Sequence, residues 1–308
     1  MAVYDCFTFF NELELLDLRL YLLNNVVDYF VIVEMNKTFR GKDKEYIFEK
    51  NKDKYEKYIN KIVYIKIEDV PKYDDTIYVK EENNIIARDW TLEFFQRNAI
   101  IKGLKKCKPS DIIMISDIDE IPSPLVLDDI LNKSVYIKRK KHLRAKIKLV
   151  KRLFKINPFY LFKNLKVKDI IDLMPISLEQ DMYYYYLNGK LNNKWYGTVI
   201  CKYKNLKSPQ EMRNNRNKML TIKNGGWHFS YLGGVDRIIR KMMSIVEGND
   251  EKAKEVHIKN CIEKGKDIYG KKHVKINYIN KEEIGIKNID KYIKKYPYLY
   301  KNRTEKLE

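Results

Sequence analysis

The chain has 308 residues, of which 44% are hydrophobic and 13% aromatic, with 61 Lys and Arg against 42 Asp and Glu for a net charge of +19. That length and apolar content suit one large folded domain, and the charge points to an anionic partner: a phosphorylated substrate, nucleic acid or a lipid surface. Cys6, Cys107, Cys201 and Cys261 form no C-x-x-C pair, which speaks against a zinc site or a disulfide framework and for incidental thiols in a reducing compartment. No apolar run approaches the roughly 20 residues that span a bilayer, and the N-terminus opens directly into strand-like residues. The expectation is therefore a cytoplasmic chain, soluble or peripherally membrane-associated, without a signal peptide.

In chain order, Val3 to Phe10 reads as a first strand, Glu12 to Leu23 as a helix with apolar residues at helical spacing, and Tyr29 to Glu34 as a second strand. Strand, helix, strand implies a parallel crossover. Ile62 to Ile67 is a third strand. Trp90 to Leu104 is a helix with Trp90, Phe94, Ile101 and Leu104 available for one face, and Ile112 to Ile115 is the next strand. This alternation predicts an α/β domain with a mostly parallel, twisted sheet flanked by helices. Further on, Tyr183 to Tyr186 and Thr198 to Tyr203 read as strands of a more mixed second half.

The stretch Asp111-Ile-Ile-Met-Ile-Ser-Asp-Ile-Asp-Glu-Ile-Pro122 carries the chemistry. An apolar strand ends in Asp117, Asp119 and Glu120, at the place where open α/β sheets hold their ligands. Side chains two apart on an extended strand point the same way, so Asp117 and Asp119 can converge on one hard cation, which in turn can hold a diphosphate. The plainer alternative is that such acidic pairs cap the following helix.

Several blocks of the chain resemble glycosyltransferase family 17. They are Phe9 to Arg19, Val26 to Glu34, Thr38-Phe-Arg-Gly41, then Trp90, Glu93 and Arg97 ahead of Asp117-Ile-Asp-Glu-Ile-Pro122. Tyr183 to Asn188, Trp195-Tyr-Gly-Thr198 and Gly225-Gly-Trp-His-Phe-Ser-Tyr-Leu-Gly-Gly234 follow in the family's order. The resemblance implies a GT-A-like catalytic domain over residues 1–275; the Lys-, Ile- and Tyr-rich stretch 276–308 is expected to be a C-terminal extension that packs on it and frays at its polar end. It also implies a metal-dependent inverting transfer of a sugar, N-acetylglucosamine from UDP-GlcNAc, to a glycan acceptor with formation of a β-linkage.

Within that frame Asp117, Asp119 and His228 are the expected ligands of Mn²⁺ or Mg²⁺, since imidazole and carboxylate both suit Mn²⁺. For His228 the alternative is a satisfied histidine packed beside Trp227. Asn11, Glu12, Glu34, Arg97 and Asp117 are expected around the donor, the first three because they follow strand ends. Helix capping by Asn11 and Glu12, a solvated strand end at Glu34 and a simple helical ion pair between Glu93 and Arg97 are the competing readings. Trp195 and Trp227 are expected to meet the acceptor, and the Tyr183 to Tyr186 run to serve mainly as core and rim packing. An inverting reaction needs a base near the acceptor hydroxyl. Glu120 ranks first, with Asp181 and Glu211 as alternatives.

Lys133 to Lys168 contains 14 Lys or Arg and no acidic residue, so the other 47 basic residues exceed the 42 acidic ones by only five. Within this basic insertion Leu143, Ile147, Val150 and Phe154 share one helical face. Residues 138–155 thus read as a basic amphipathic helix, able to lie on an anionic membrane or to pack on the domain with a solvated basic face. A non-enzymatic protein binding nucleic acid or a membrane surface is the contrasting function, but the charge is concentrated in one segment and no nucleic-acid motif accompanies it, so no specific nucleic acid is expected. A phosphatase of the haloacid dehalogenase type is disfavoured because Ile121 stands where a Thr or Val is usual.

Overall fold

The structure is a computed structural model that describes residues 1–72, 78–81, 84–87, 89–132 and 166–302. The basic helix expected over 138–155 lies outside the described residues. The elements are β1 (Val3–Thr8), α1 (Leu13–Leu23), β2 (Tyr29–Met35), α2 (Ile47–Asn51), β3 (Ile62–Ile67), a hairpin of β4 (Tyr78–Glu81) and β5 (Asn84–Ala87), and α3 (Thr91–Asn98). They continue with β6 (Ile112–Asp117), β7 (Glu120–Pro122), α4 (Pro124–Asn132), α5 (Val167–Leu173), β8 (Ile176–Tyr184), β9 (Gly189–Lys202), α6 (Pro209–Asn214), β10 (Leu220–Ile222), β11 (Gly226–Ser230), α7 (Val235–Met242), α8 (Glu255–Glu263), β12 (Ile276–Tyr278) and α9 (Ile289–Lys295).

One ten-stranded sheet runs in the order β3-β2-β1-β6-β9-β8-β11-β7, with β10 beside β8 and β12 beside β9. Its first four strands are parallel. Helices cover both faces of this half, so alternate residues of one strand enter different cores. Phe7, Phe30, Ile32 and Met114 pack on one side, and Cys6, Val31, Val33 and Ile115 on the other. Double coverage explains the unbroken apolar runs of these strands. The second half is mixed: β9 is antiparallel to β6 and β8, while β11 is parallel to β8 and antiparallel to β7. A third core beneath it joins Met182, Tyr185 and Leu191 to Ile238 and Met242 of α7 and Ile258 and Ile262 of α8.

Two local expectations need correction. The helix expected over 90–104 is α-helical only to Asn98 and tightens to a 3₁₀ helix over Ala99–Leu104, which shifts the phase of its buried face. Leu92, Ala99, Ile100 and Leu104 are buried, whereas Ile101 is exposed and Trp90 stacks on Phe94 at 6.0 Å. The tyrosine run is not a strand throughout. Strand β8 ends at Tyr184, and Tyr185 adopts the left-handed conformation with φ 67° while burying its ring in the third core.

The turn between β6 and β7 is held from below by Arg19 of α1, which is fully buried. Its Nε and Nη2 donate to both oxygens of Asp5 at 2.7 and 2.6 Å, and Nη2 also donates to Ser116 Oγ at 2.6 Å. Nη1 donates to the carbonyls of Asp117, Ile118 and Glu120 at 3.0, 3.2 and 3.1 Å. Residues 276–302 contribute β12 to the sheet edge and then pack on α1, where Tyr292 Oη donates to the Glu14 carbonyl at 2.7 Å. Replacing Arg19 with Met is expected to cost about 3–5 kcal/mol, because Asp5 is left as an unpaired buried charge. Arg19→Lys should recover little of this, since one ammonium cannot reproduce the fork. Urea unfolding of both variants checks the prediction, and a loss below about 1 kcal/mol, the scale of an exposed ion pair, would contradict it.

Candidate active site

Residue types at the ends of the parallel strands converge on a cavity of about 320 Å³ lined from both halves of the sheet. Asp117 is the last residue of β6, in register with Thr8 at the end of β1. The chain then turns through Ile118 and Asp119 into β7, whose Glu120 lies opposite His228 of β11. Phe229 N donates to the Asp119 carbonyl at 2.8 Å, which ties β11 to the acidic turn. Gly226 permits this close approach: its φ is +136°, and a Cβ there would sit 2.1 Å from the Ile121 carbonyl oxygen. Asp117 and Asp119 thus face one cavity because a turn clamped by Arg19 places them there, rather than through the strand alternation that the sequence suggested.

Each carboxylate of the turn has a cationic partner, and Arg213 serves two of them. Arg97 of α3 and Arg213 of α6 hold the two oxygens of Asp117 at 2.9 Å each. Lys241 of α7 holds Asp119 Oδ2 at 2.7 Å, and His228 Nε2 lies 3.6 Å from Oδ1. Glu120 Oε1 accepts from Trp195 Nε1 at 2.5 Å and Arg213 at 2.7 Å, while its Oε2 accepts from the Asp117 amide at 2.9 Å. Burial opposes ionisation of Asp117, yet Arg97 and Arg213 hold its carboxyl well below the usual range. Asp119 behaves likewise, with burial overcome by Lys241 and His228. Burial lifts Glu93 the other way, to about 7, against the opposing pull of Arg97.

Of the residues singled out in the sequence, Glu12, Glu93, Arg97, Asp117, Asp119, Glu120, Tyr184, Trp195 and His228 line this cavity. The others lie elsewhere. Glu34 is fully buried at the end of β2, where it accepts from Lys44, the amides of Ile47 and Phe48 that open α2, and Tyr64. It is neither at the cavity wall nor a solvated strand end. Asn11 borders a small neighbouring pocket. Glu12 accepts from the Phe10 and Asn11 amides rather than capping α1. Trp227 is buried, with its indole donating to the Ile284 carbonyl at 2.6 Å. Asp181 pairs with Lys190 and Lys194, and Glu211 with Lys207, both outside the cavity lining. Glu93 and Arg97 do pair, at 2.9 Å, but inside the site rather than on a solvated helix face.

Sequence reasoning missed Arg213, Lys241, Tyr231 and Tyr269. Lys241 and the two tyrosines line the cavity wall, and Arg213 lies behind Asp117 and Glu120. Nothing in the runs around Arg213 and Lys241 separates them from surface Lys and Arg. Among the described residues no three His, Cys, Asp or Glu side chains stand grouped as a metal site. No helix among them is long and apolar enough to cross a membrane.

A cavity at parallel strand ends, walled by carboxylates, a guanidinium group and aromatic rings, fits an enzyme site for a charged ligand. Comparison with known proteins gives the class: glycosyltransferases. The model of glycosyltransferase family 17 matches residues 1–157, half of the chain, and the chain belongs to that family. Over 115 residues it is 29% identical to the beta-1,4-mannosyl-glycoprotein 4-beta-N-acetylglucosaminyltransferases of Homo sapiens and Rattus norvegicus, and 28% identical to that of Mus musculus. The matched stretch covers 37% of this chain and 20% of each relative's length.

Glu93 generates a prediction of sign. Its folded-state pKa, about 7, lies above the ordinary glutamate value near 4.3, so the folded protein binds the extra proton. Its contribution to stability is therefore full below the ordinary value and falls as pH rises towards 7. Unfolding titrations between pH 4.5 and 7.5 should show a smaller decline for Glu93→Gln than for the wild type; equal slopes would contradict the assignment.

Proposed function

We propose that this chain transfers N-acetylglucosamine from UDP-GlcNAc to a glycan acceptor with inversion, on a GT-A-like domain and with help from a divalent metal. The observation that carries the reading is the meeting of Asp117, Asp119, Arg97, Lys241, His228 and Trp195 on one cavity at the strand ends. The printed activity of the partly matching relatives, which are 4-beta-N-acetylglucosaminyltransferases, supports the choice of sugar.

The donor set is compatible with Mn²⁺ or Mg²⁺. Imidazole Nε2 and Asp119 Oδ1 face each other at 3.6 Å, beyond hydrogen-bond length, and His228 Nδ1 is buried without a partner among the described residues. Asp117 takes one guanidinium on each oxygen, which leaves a further lone pair on each. These three residues would hold the ion, and its chemistry there is Lewis-acid stabilisation of the departing diphosphate. The chain's own cations act on the same charge. Arg97 offers a planar fork near the place where the phosphates would lie, and Lys241 a mobile ammonium. Arg97 is held in place before the reaction, so its stabilisation of the growing negative charge needs little reorganisation.

Of the three carboxylates weighed as base, Glu120 is the one at the cavity. Among the described residues its Oε2 accepts only the Asp117 amide, so a lone pair there remains for an acceptor hydroxyl. Glu93 is the second choice, favoured by a proton affinity near neutrality. Glu12 and Arg97 are assigned to the donor, and Trp195 to the acceptor side, where its indole is oriented by Glu120.

Thermal unfolding with nucleotides tests the reading. UDP or UDP-GlcNAc at about 100 times its dissociation constant should add about 2.7 kcal/mol, a rise of several degrees, in the presence of Mn²⁺. Asp119→Ala should lose the response. A wild type that answers to no nucleoside diphosphate or nucleotide sugar under any metal condition would overturn the proposal.

A further inference from the structure

Lys241 occupies an unusual place for a lysine. Its ammonium sits 2.7 Å from Asp119 Oδ2 and 5.4 Å from the centre of the Tyr231 ring, on the wall shared by the main cavity and the small pocket beside it. Asp119 keeps only 7% of its side chain exposed, so an ionised carboxylate there requires a counter-charge. Lys241 supplies it. Any divalent cation approaching Asp119 must then share one carboxylate with a positive charge already in contact, and two cations on one buried carboxylate repel strongly.

We infer that Lys241 is a positioning residue that couples metal and diphosphate binding: it blocks Asp119 while the site is empty and leaves it for the diphosphate when the donor arrives. This rests on the donor-site reading proposed above. The side chain is suited to the exchange, being a point charge on a flexible four-carbon stem, with 22% of its surface exposed. Arg97 and Arg213 are not suited to it. Both are 5% exposed or less, and each is held by two or more partners. Lys241 alone among these cations is free to trade an anionic partner in the protein for one in the ligand. Because coupling is reciprocal, the diphosphate then strengthens metal binding by the same factor as the metal strengthens diphosphate binding.

The consequence is a pair of effects with opposite sign. In Lys241→Met, Mn²⁺ alone should bind about tenfold more tightly than to the wild type, while UDP in the presence of Mn²⁺ should bind about tenfold more weakly, both within the range usual for coupled sites. Mn²⁺ binding is read by electron paramagnetic resonance of the free ion and UDP binding by calorimetry, so neither depends on turnover. Lys241→Gln, which keeps a donor towards Asp119 without the charge, should behave as Lys241→Met and guards against a variant that fails to fold. Lys241→Arg should keep Mn²⁺ alone weak. If the wild type binds UDP with Mn²⁺ but both neutral variants bind Mn²⁺ alone no more tightly than it does, the coupling is overturned and the donor site stands. If the wild type binds no UDP even with Mn²⁺, the donor site fails and the coupling with it.

Discussion

The buried guanidinium of Arg19 is the interaction on which the site depends. It neutralises Asp5 in the middle of β1, bonds Ser116 Oγ, and gives its Nη1 to three carbonyls of the acidic turn. Those carbonyls lie where β6 ends and the chain turns into β7, and Arg19 gives each of them a donor; that of Glu120 also accepts from Thr198 Oγ1 at 3.2 Å. A turn that directs two carboxylates to one cavity while burying Ile118 has little local reason to persist. Its conformation is imposed by a charge delivered from a helix about a hundred residues earlier, and the cation also covers the Phe7 ring at 4.5 Å.

Above that turn, the cavity wall alternates sign at short range. Asp117 and Glu120 share Arg213, Asp117 and Glu93 share Arg97, and Asp119 takes Lys241. Such a wall is costly to build and holds its shape only while every member is paired, because each unpaired charge would lie in a low-dielectric setting. The arrangement favours a ligand that itself carries closely spaced charge, since neutral ligands offer the freed groups nothing in exchange. Glu120 illustrates the network's stiffness: one carboxylate fixes the Trp195 indole, the Arg213 guanidinium and the Asp117 amide at once.

The parallel half of the sheet was legible because burial on both faces demands continuous apolar runs, and β1, β2, β3 and β6 consist of little else. The mixed half was less so. The first part of β9 carries exposed Asn192, Asn193 and Lys194 and reads as loop, and β7 is three residues long. The same division holds at the site. Asp117, Asp119 and Glu120 are neighbours in sequence and announce themselves. Their partners do not: Arg213 reaches Asp117 across 96 residues and Lys241 reaches Asp119 across 122. No periodicity links a carboxylate to a cation at that separation, and in a chain with 61 basic residues the composition marks none of them out.

Helix α1 ties these distant parts into one frame. Arg19 fixes the acidic turn, and one and a half turns earlier Glu14 receives both terminal nitrogens of Arg237 at 2.7 and 2.6 Å. Arg237 and Lys241 are four apart on α7, so they lie on the same side of that helix. The pair Glu14–Arg237 therefore positions the helix that carries Lys241, just as Arg19 positions the turn that carries Asp119. Tyr292 and Tyr298 of the C-terminal region close over Glu14, through its carbonyl and its carboxylate. The separation between Lys241 and Asp119 is thus set by two side chains of one helix, and the C-terminal residues brace the helix that sets it.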